Sequence, residues 1–185
     1  KLQAAGGTEA GPPLLHAMNM SSDNSKIKMI VFITDGAIAH ERQILPLVDS
    51  NLGKSRLFSV GIGSAPNTYL LEKISDKGRG SFTYINQVNN VSNIMNELFH
   101  KIEMPVLTDI KLNIDGQTDI YPNPIPDLFA NEPLVIFGKV DNNNDREINI
   151  SGKNVSGYFD LKIPVNLSSG VENNAIGDIW ARKKI

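Results

Sequence analysis

The chain contains no cysteine, which removes disulfide scaffolds, thiolate zinc sites and cysteine nucleophiles at once. It has no stretch approaching the ~20 consecutive apolar residues that a membrane-spanning helix needs. Basic tracts are also missing: 18 Lys and Arg stand against 20 Asp and Glu, for a net charge of −2. That balance argues against a general nucleic-acid binder, whose affinity rests on neutralised phosphates. What remains is a chain of 185 residues, 41% of them hydrophobic. This is enough to bury a core, and the length fits one large domain or two small ones.

The first hundred residues alternate between helical and extended hydrophobic spacing. After Pro12-Pro13, Leu14, Leu15 and Met18 recur as one face of a helix. Ile27 to Thr34 is a short apolar run with β-branched residues, the pattern of a strand buried on both faces. A helix over His40 to Leu52 comes next, in which Pro46 predicts a kink or a late start. Leu57 to Ile62 reads as a second strand, and Asn67 to Lys77 as a helix closed by Gly78, a residue free to take positive φ. Ser81 to Ile85 and Val91 to Glu103 complete the series as a strand and an amphipathic helix. Such alternation predicts an α/β fold, a parallel sheet with helices on its faces.

The grammar changes at Met104-Pro105. Short alternating runs over Val106 to Ile114, Leu134 to Val140, Glu147 to Ser151 and Tyr158 to Ile163 are separated by turn-rich pieces such as Tyr121-Pro122-Asn123-Pro124-Ile125-Pro126. Residues 105–185 are therefore expected to form a small antiparallel β-sandwich after an α/β domain over 1–104. The tail from Ala175 to Arg182 reads as a short helix holding the only tryptophan, Trp180.

Chemical signal concentrates at Ile33-Thr34-Asp35-Gly36. Ligands of open α/β sheets gather outside the carboxyl ends of the strands, so an acidic residue leaving an apolar strand is placed to meet a cation or a polar substrate. The plainer reading is an Asp capping the next helix. Gly6-Gly7-Thr8-Glu9 favours the first reading. A glycine pair there presents a hydroxyl just before a helix, and Thr and carboxylate oxygens are the hard ligands that Mg²⁺ or Mn²⁺ prefers. Asp141-Asn142-Asn143-Asn144-Asp145-Arg146 starts like a calcium loop, but Arg146 stands where the loop needs glycine and Gly152 where it needs Glu, so a hairpin turn is the better reading. Gly61-Ile62-Gly63 is followed by Pro66 and lacks the third glycine of a dinucleotide fingerprint.

Thr8 in its Gly-Gly-Thr-Glu loop, the strand ending Thr34-Asp35-Gly36 and the strand Phe58-Ser59-Val60-Gly61-Ile62-Gly63 together resemble the later two-thirds of a von Willebrand factor type A (VWA) domain. Their order and spacing are similar to those of the subgroup found in inter-alpha-trypsin inhibitor heavy chains and their bacterial relatives, where a VIT domain flanks the VWA domain. Residues 106–185 look similar to the β-rich region that follows it in bacterial members, through Pro126-Asp127-Leu128-Phe129, Pro133-Leu134-Val135-Ile136 and Trp180-Ala181-Arg182. The resemblance implies a doubly wound, Rossmann-like sheet with helices on both faces. It also implies a metal-ion-dependent adhesion site built from three loops, the first carrying Asp-x-Ser-x-Ser, the second a Thr and the third an Asp. Thr8 and Asp35 correspond to the last two.

No Asp-x-Ser-x-Ser occurs in these residues, and the strand that would precede it is missing as well. The opening at Lys1-Leu2-Gln3-Ala4 reads as mid-domain sequence, so the sheet is expected to be incomplete. Two protein ligands predict weak or absent binding of Mg²⁺, or of Mn²⁺ or Ca²⁺ in its place. The missing strand would leave residues 27–34 as an exposed edge through which copies could associate. Three functions compete. The first is a non-enzymatic adhesion or ligand-binding module whose metal receives an Asp or Glu carboxylate from a protein partner. The second is a structural spacer with a degenerate metal site. The third is a metal-dependent hydrolase using Asp35, with Glu9, His40 or Glu41 as base. By resemblance the setting is extracellular, cell-surface or periplasmic.

Overall fold

A computed structural model describes residues 8–23, 26–36, 38–39, 41–86, 90–130, 133–171 and 173–184. Two compact units meet in sequence between Glu103 and Met104. The first contains β1 (Thr8–Glu9), α1 (Gly11–Asn19), β2 (Met29–Thr34), β3 (Ile38–Ala39), α2 (Glu41–Asn51), β4 (Arg56–Ile62), α3 (Thr68–Lys77), β5 (Arg79–Ile85) and α4 (Val91–Glu103). β2, β4 and β5 form a parallel sheet in the order β2-β4-β5, as the alternation of periods predicts.

Strand periodicity sends successive side chains of this sheet to opposite faces. On one face Ile30, Phe32, Leu57 and Phe82 pack with Leu14 and Met18 of α1, Ile44 and Val48 of α2, and Leu70, Leu71 and Ile74 of α3. Phe58, Val60 and Ile85 alternate with these residues and are fully buried outside that cluster. Leu98 and Ile102 of α4 are buried too, and Lys101 of α4 donates to the Ser81 hydroxyl at 2.9 Å on that side of β5. Helices therefore lie on both faces, which is the doubly wound arrangement.

Polar groups inside this core are satisfied locally. The Ser59 hydroxyl donates to the Leu71 carbonyl at 2.7 Å, which leaves Ser75 as the donor across the 2.6 Å contact between the two serine hydroxyls. Both serines are fully buried, so this pair fixes α3 to β4. Lys28 lies just before β2, and its ammonium donates to the carbonyls of Ala17, Met18 and Met20. It thereby satisfies the open C-terminal end of α1.

Three local expectations need correction. β2 is buried on one face only: Ile33 is 50% exposed, because β2 is the edge of the sheet among the described residues. α2 starts at Glu41 and runs through Pro46, which lies exposed, so the late start does not occur. Gly78 does close α3, but at φ −75°. Its requirement is steric, since a Cβ there would lie 2.5 Å from Leu57 Cβ. The positive φ belongs to the next residue, Arg79, at 54°.

The second unit contains β6 (Pro105–Ile114), β7 (Gln117–Tyr121), β8 (Leu128–Phe129), β9 (Phe137–Val140), β10 (Arg146–Asn154), β11 (Gly157–Val165) and α5 (Asn174–Lys184). Its strands pair antiparallel in a four-stranded sheet, β11-β10-β6-β8, and a two-stranded sheet, β7-β9. α5 is tied to β7 by the ion pair of Lys184 with Asp119. The Lys184 ammonium also lies 4.9 Å from the centre of the Trp180 ring.

The loop that starts like a calcium site is not a hairpin, because β9 and β10 belong to different sheets. Its carbonyls surround a guanidinium instead. Arg146 donates to the carbonyls of Asn144 at 3.1 Å, Asn142 at 2.9 Å and Asp115, and pairs with Asp141 at 3.5 Å, with its side chain only 8% exposed. Asp141, the first residue of that pattern, thus already pairs with a covalently attached cation.

Two stability measurements check this account. Gly80→Ala places a Cβ 2.2 Å from the Leu57 carbonyl oxygen, so urea unfolding should show a loss of about 3 kcal/mol; an unchanged midpoint would contradict the packing. Arg146→Ala should cost about 2–3 kcal/mol by the same method, because several charge-assisted bonds disappear together.

Candidate site at the strand ends

Parallel pairing places the carboxyl ends of β2, β4 and β5 at one side of the sheet. β2 ends at Thr34, which is buried, and the chain then turns through exposed Asp35 and half-buried Gly36. The Gly36 amide points at the Thr34 hydroxyl at 3.4 Å, the geometry of a side chain bracing its own turn. Beyond this turn β3 pairs parallel with β1, matching Thr8 to Ile38 and Glu9 to Ala39. Ile38 lies close after Asp35 in sequence, so this short ladder brings the backbone of the Thr8 segment beside the turn that carries Asp35. The ladder thus ties the backbone of the Thr8 segment to the chain that follows the Asp35 turn.

The neighbouring strand end is pinned from two directions. The Gly63 amide donates to the Ile85 carbonyl at 2.9 Å, and the Tyr84 hydroxyl donates to the Gly63 carbonyl at 2.8 Å. Gly63 sits at φ 90°, a conformation that glycine adopts without strain. A Cβ at Gly61 would lie 3.0 Å from Pro66 Cβ, so the first glycine lets the chain fold back tightly towards α3. These two glycines serve the turn, in agreement with the rejection of a dinucleotide fingerprint.

Asn67 was not singled out from sequence as a site residue, yet it joins two helix starts. Its side-chain oxygen accepts from the Leu70 amide at 3.1 Å as the N-cap of α3, and its amide nitrogen donates to the Glu41 carboxylate in the first turn of α2. The signal in the sequence was its position immediately before an apolar-periodic stretch. Glu41 is thereby engaged as a strut between helices. Gly6, Gly7, His40 and the Thr8 side chain lie outside the described residues.

Mg²⁺ takes a near-octahedral set of about six oxygen ligands, some of them water. Asp35 and Thr8 would contribute two. Among the described residues no group of three or more His, Asp or Glu side chains is placed to hold a metal ion. No helix among the described residues is long and apolar enough to cross a membrane.

No protein-family model matches the chain. Similarity to individual proteins is nevertheless consistent. A von Willebrand factor A domain-containing protein of Dictyostelium discoideum is 25% identical over 146 residues, covering 77% of this chain and 16% of that protein. Another from the same organism is 24% identical over 185 residues, covering 95% and 22%. Inter-alpha-trypsin inhibitor heavy chain H2 of Mus musculus is 24% identical over 156 residues, covering 76% and 16%. The chain thus spans about a fifth of the length of the curated relatives it matches. Among solved structures, a von Willebrand factor type A protein from Catenulispora acidiphila superposes with a TM-score of 0.64 at 18% identity, over 89% of this chain and 48% of the other. In fold, then, the chain is of the von Willebrand factor type A kind, and in sequence it is similar to VWA domain-containing proteins and to inter-alpha-trypsin inhibitor heavy chains.

Proposed function

We propose that this chain is a non-enzymatic protein-binding module that meets its partner at the strand ends around Thr8 and Asp35. The observation that supports this reading is the β1–β3 ladder, which draws the Thr8 segment to the turn of Asp35 at the end of an apolar sheet. An exposed carboxylate there, followed by a glycine that leaves room for approach, suits a polar group of an incoming chain. The edge of β2, unpaired among the described residues, adds a second route, strand addition from another chain along residues 29–34.

By resemblance the partner offers an Asp or Glu carboxylate to a bound divalent cation, with Thr8 as a direct ligand and Asp35 a direct or water-mediated one. With only these two ligands, the proposal for this chain is limited to the docking surface and routes no step through a metal. The hydrolase reading draws less support, because the Glu41 carboxylate is engaged by Asn67.

Peptides selected on this chain by phage display separate these readings. Those that dock at the strand ends should lose about tenfold in affinity on Asp35→Arg, keep it on Glu103→Arg in α4, and be unaffected by EDTA. Peptides that bind both variants equally would overturn the proposed surface. A micromolar Mg²⁺ affinity by calorimetry, abolished by Asp35→Ala, would show that the metal site is complete after all.

A further inference from the structure

The four-stranded sheet of the second unit ends at β11, and among the described residues no strand lies on its outer edge. Its two faces differ in chemistry. Register aligns Ile114, Ile148 and Ile163 in one row and Leu112, Ile150 and Leu161 in the next, while Glu147, Ser151, Asp160 and Lys162 occupy the opposite face. Cover over the apolar rows thins towards the free edge. Ile110 on β6 is 8% exposed, whereas Leu161 and Ile163 on β11 are 44% and 38% exposed. An open apolar face with an unpaired edge strand is a template for further pairing.

The backbone fixes which residues can make that pairing. The β10–β11 ladder runs on through Pro164, which is opposite Glu147 and has no amide proton to give. Pro164 must therefore turn its backbone outward, as prolines in edge strands do. Counting by two along an antiparallel ladder, Tyr158, Asp160 and Lys162 also turn outward, while Phe159, Leu161 and Ile163 face β10.

We infer that β11 pairs with β11 of a second copy of this chain, antiparallel about a two-fold axis through Leu161. In that register the outward residues Asp160 and Lys162 of one copy exchange hydrogen bonds with Lys162 and Asp160 of the other. Opposite charges thus face each other at both positions, where Lys162, already paired with Glu147 of its own copy at 3.0 Å, bridges to a second carboxylate. On the apolar face Leu161 meets its own copy and Phe159 meets Ile163, so the two apolar rows continue across the axis. A shift of the axis to Asp160 or Lys162 keeps the hydrogen bonding but sets like charges opposite each other, and an odd shift mismatches the bonding pattern. Of these registers only the one about Leu161 sets Asp160 against Lys162; it forgoes the bond that Pro164, opposite Tyr158, cannot donate, and it is isologous. β2, an edge of the parallel sheet among the described residues, reads Met-Ile-Val-Phe-Ile-Thr and has no charge with which to set a register.

Analytical ultracentrifugation of the 185-residue chain and two charge variants tests this pairing. The wild type should dimerise at high micromolar concentration. Asp160→Lys and Lys162→Glu, each checked for an unchanged circular dichroism spectrum, should each weaken self-association by at least about tenfold. Mixed one to one, the variants should form a heterodimer, because lysines on one copy then face acids on the other. A wild type that stays monomeric to millimolar concentration overturns the inference. So do variants that dimerise like the wild type, which would place the contact on another surface such as β2, and so does a mixture that fails to associate.

Discussion

The first unit depends on a backbone approach at the centre of its sheet. Leu57 of β4 is fully buried, and the chain around Gly78 and Gly80 passes so close to it that neither position has room for a Cβ. That approach sets β5 beside β4 and α3 over it, and the Ser59–Ser75 pair then locks α3 in place without leaving an unsatisfied hydroxyl. With both faces of β4 buried, α1 to α3 collect on one side and α4 on the other. The strand ends, and with them Asp35, take their positions from this packing.

The edges of the two sheets contrast with that centre. Among the described residues β2 has a neighbour on one side only, and it exposes half of Ile33. β11 has an open edge and an increasingly bare apolar face, but also carries Asp160 and Lys162, which can select one register from several. In both units the stable interior was assembled from apolar alternation, while the edges hold the surfaces at which other chains can add. The proposed protein-binding surface and the proposed self-pairing edge lie on different units of the chain.

Much of this architecture was legible in the sequence where the patterns are long. The apolar run ending in Thr34-Asp35-Gly36 gave β2 and its polar turn, and the helices were found within a residue or two because their apolar faces repeat over several turns. β1 and β3 are too short to show a period, so the ladder that brings Thr8 towards Asp35 could not be read. β7 and β8 flank the proline-rich stretch 121–126, and neither lay in a run read as a strand. Arg146 was seen only as the wrong residue for calcium, since a guanidinium filling the loop from within is a tertiary fact. Gly78 was placed correctly at a helix end for the wrong reason, because close approach and positive φ both select glycine.

The central claim is that β4 is the fixed interior strand and β2 the open edge of the same sheet. Amide hydrogen exchange followed by NMR tests it most directly. Amides of Leu57 to Gly61 should exchange only through global unfolding, and alternate amides of Met29 to Thr34, those turned away from β4, should exchange orders of magnitude faster. Equal protection of every amide along β2, or early exchange within β4, would contradict the account.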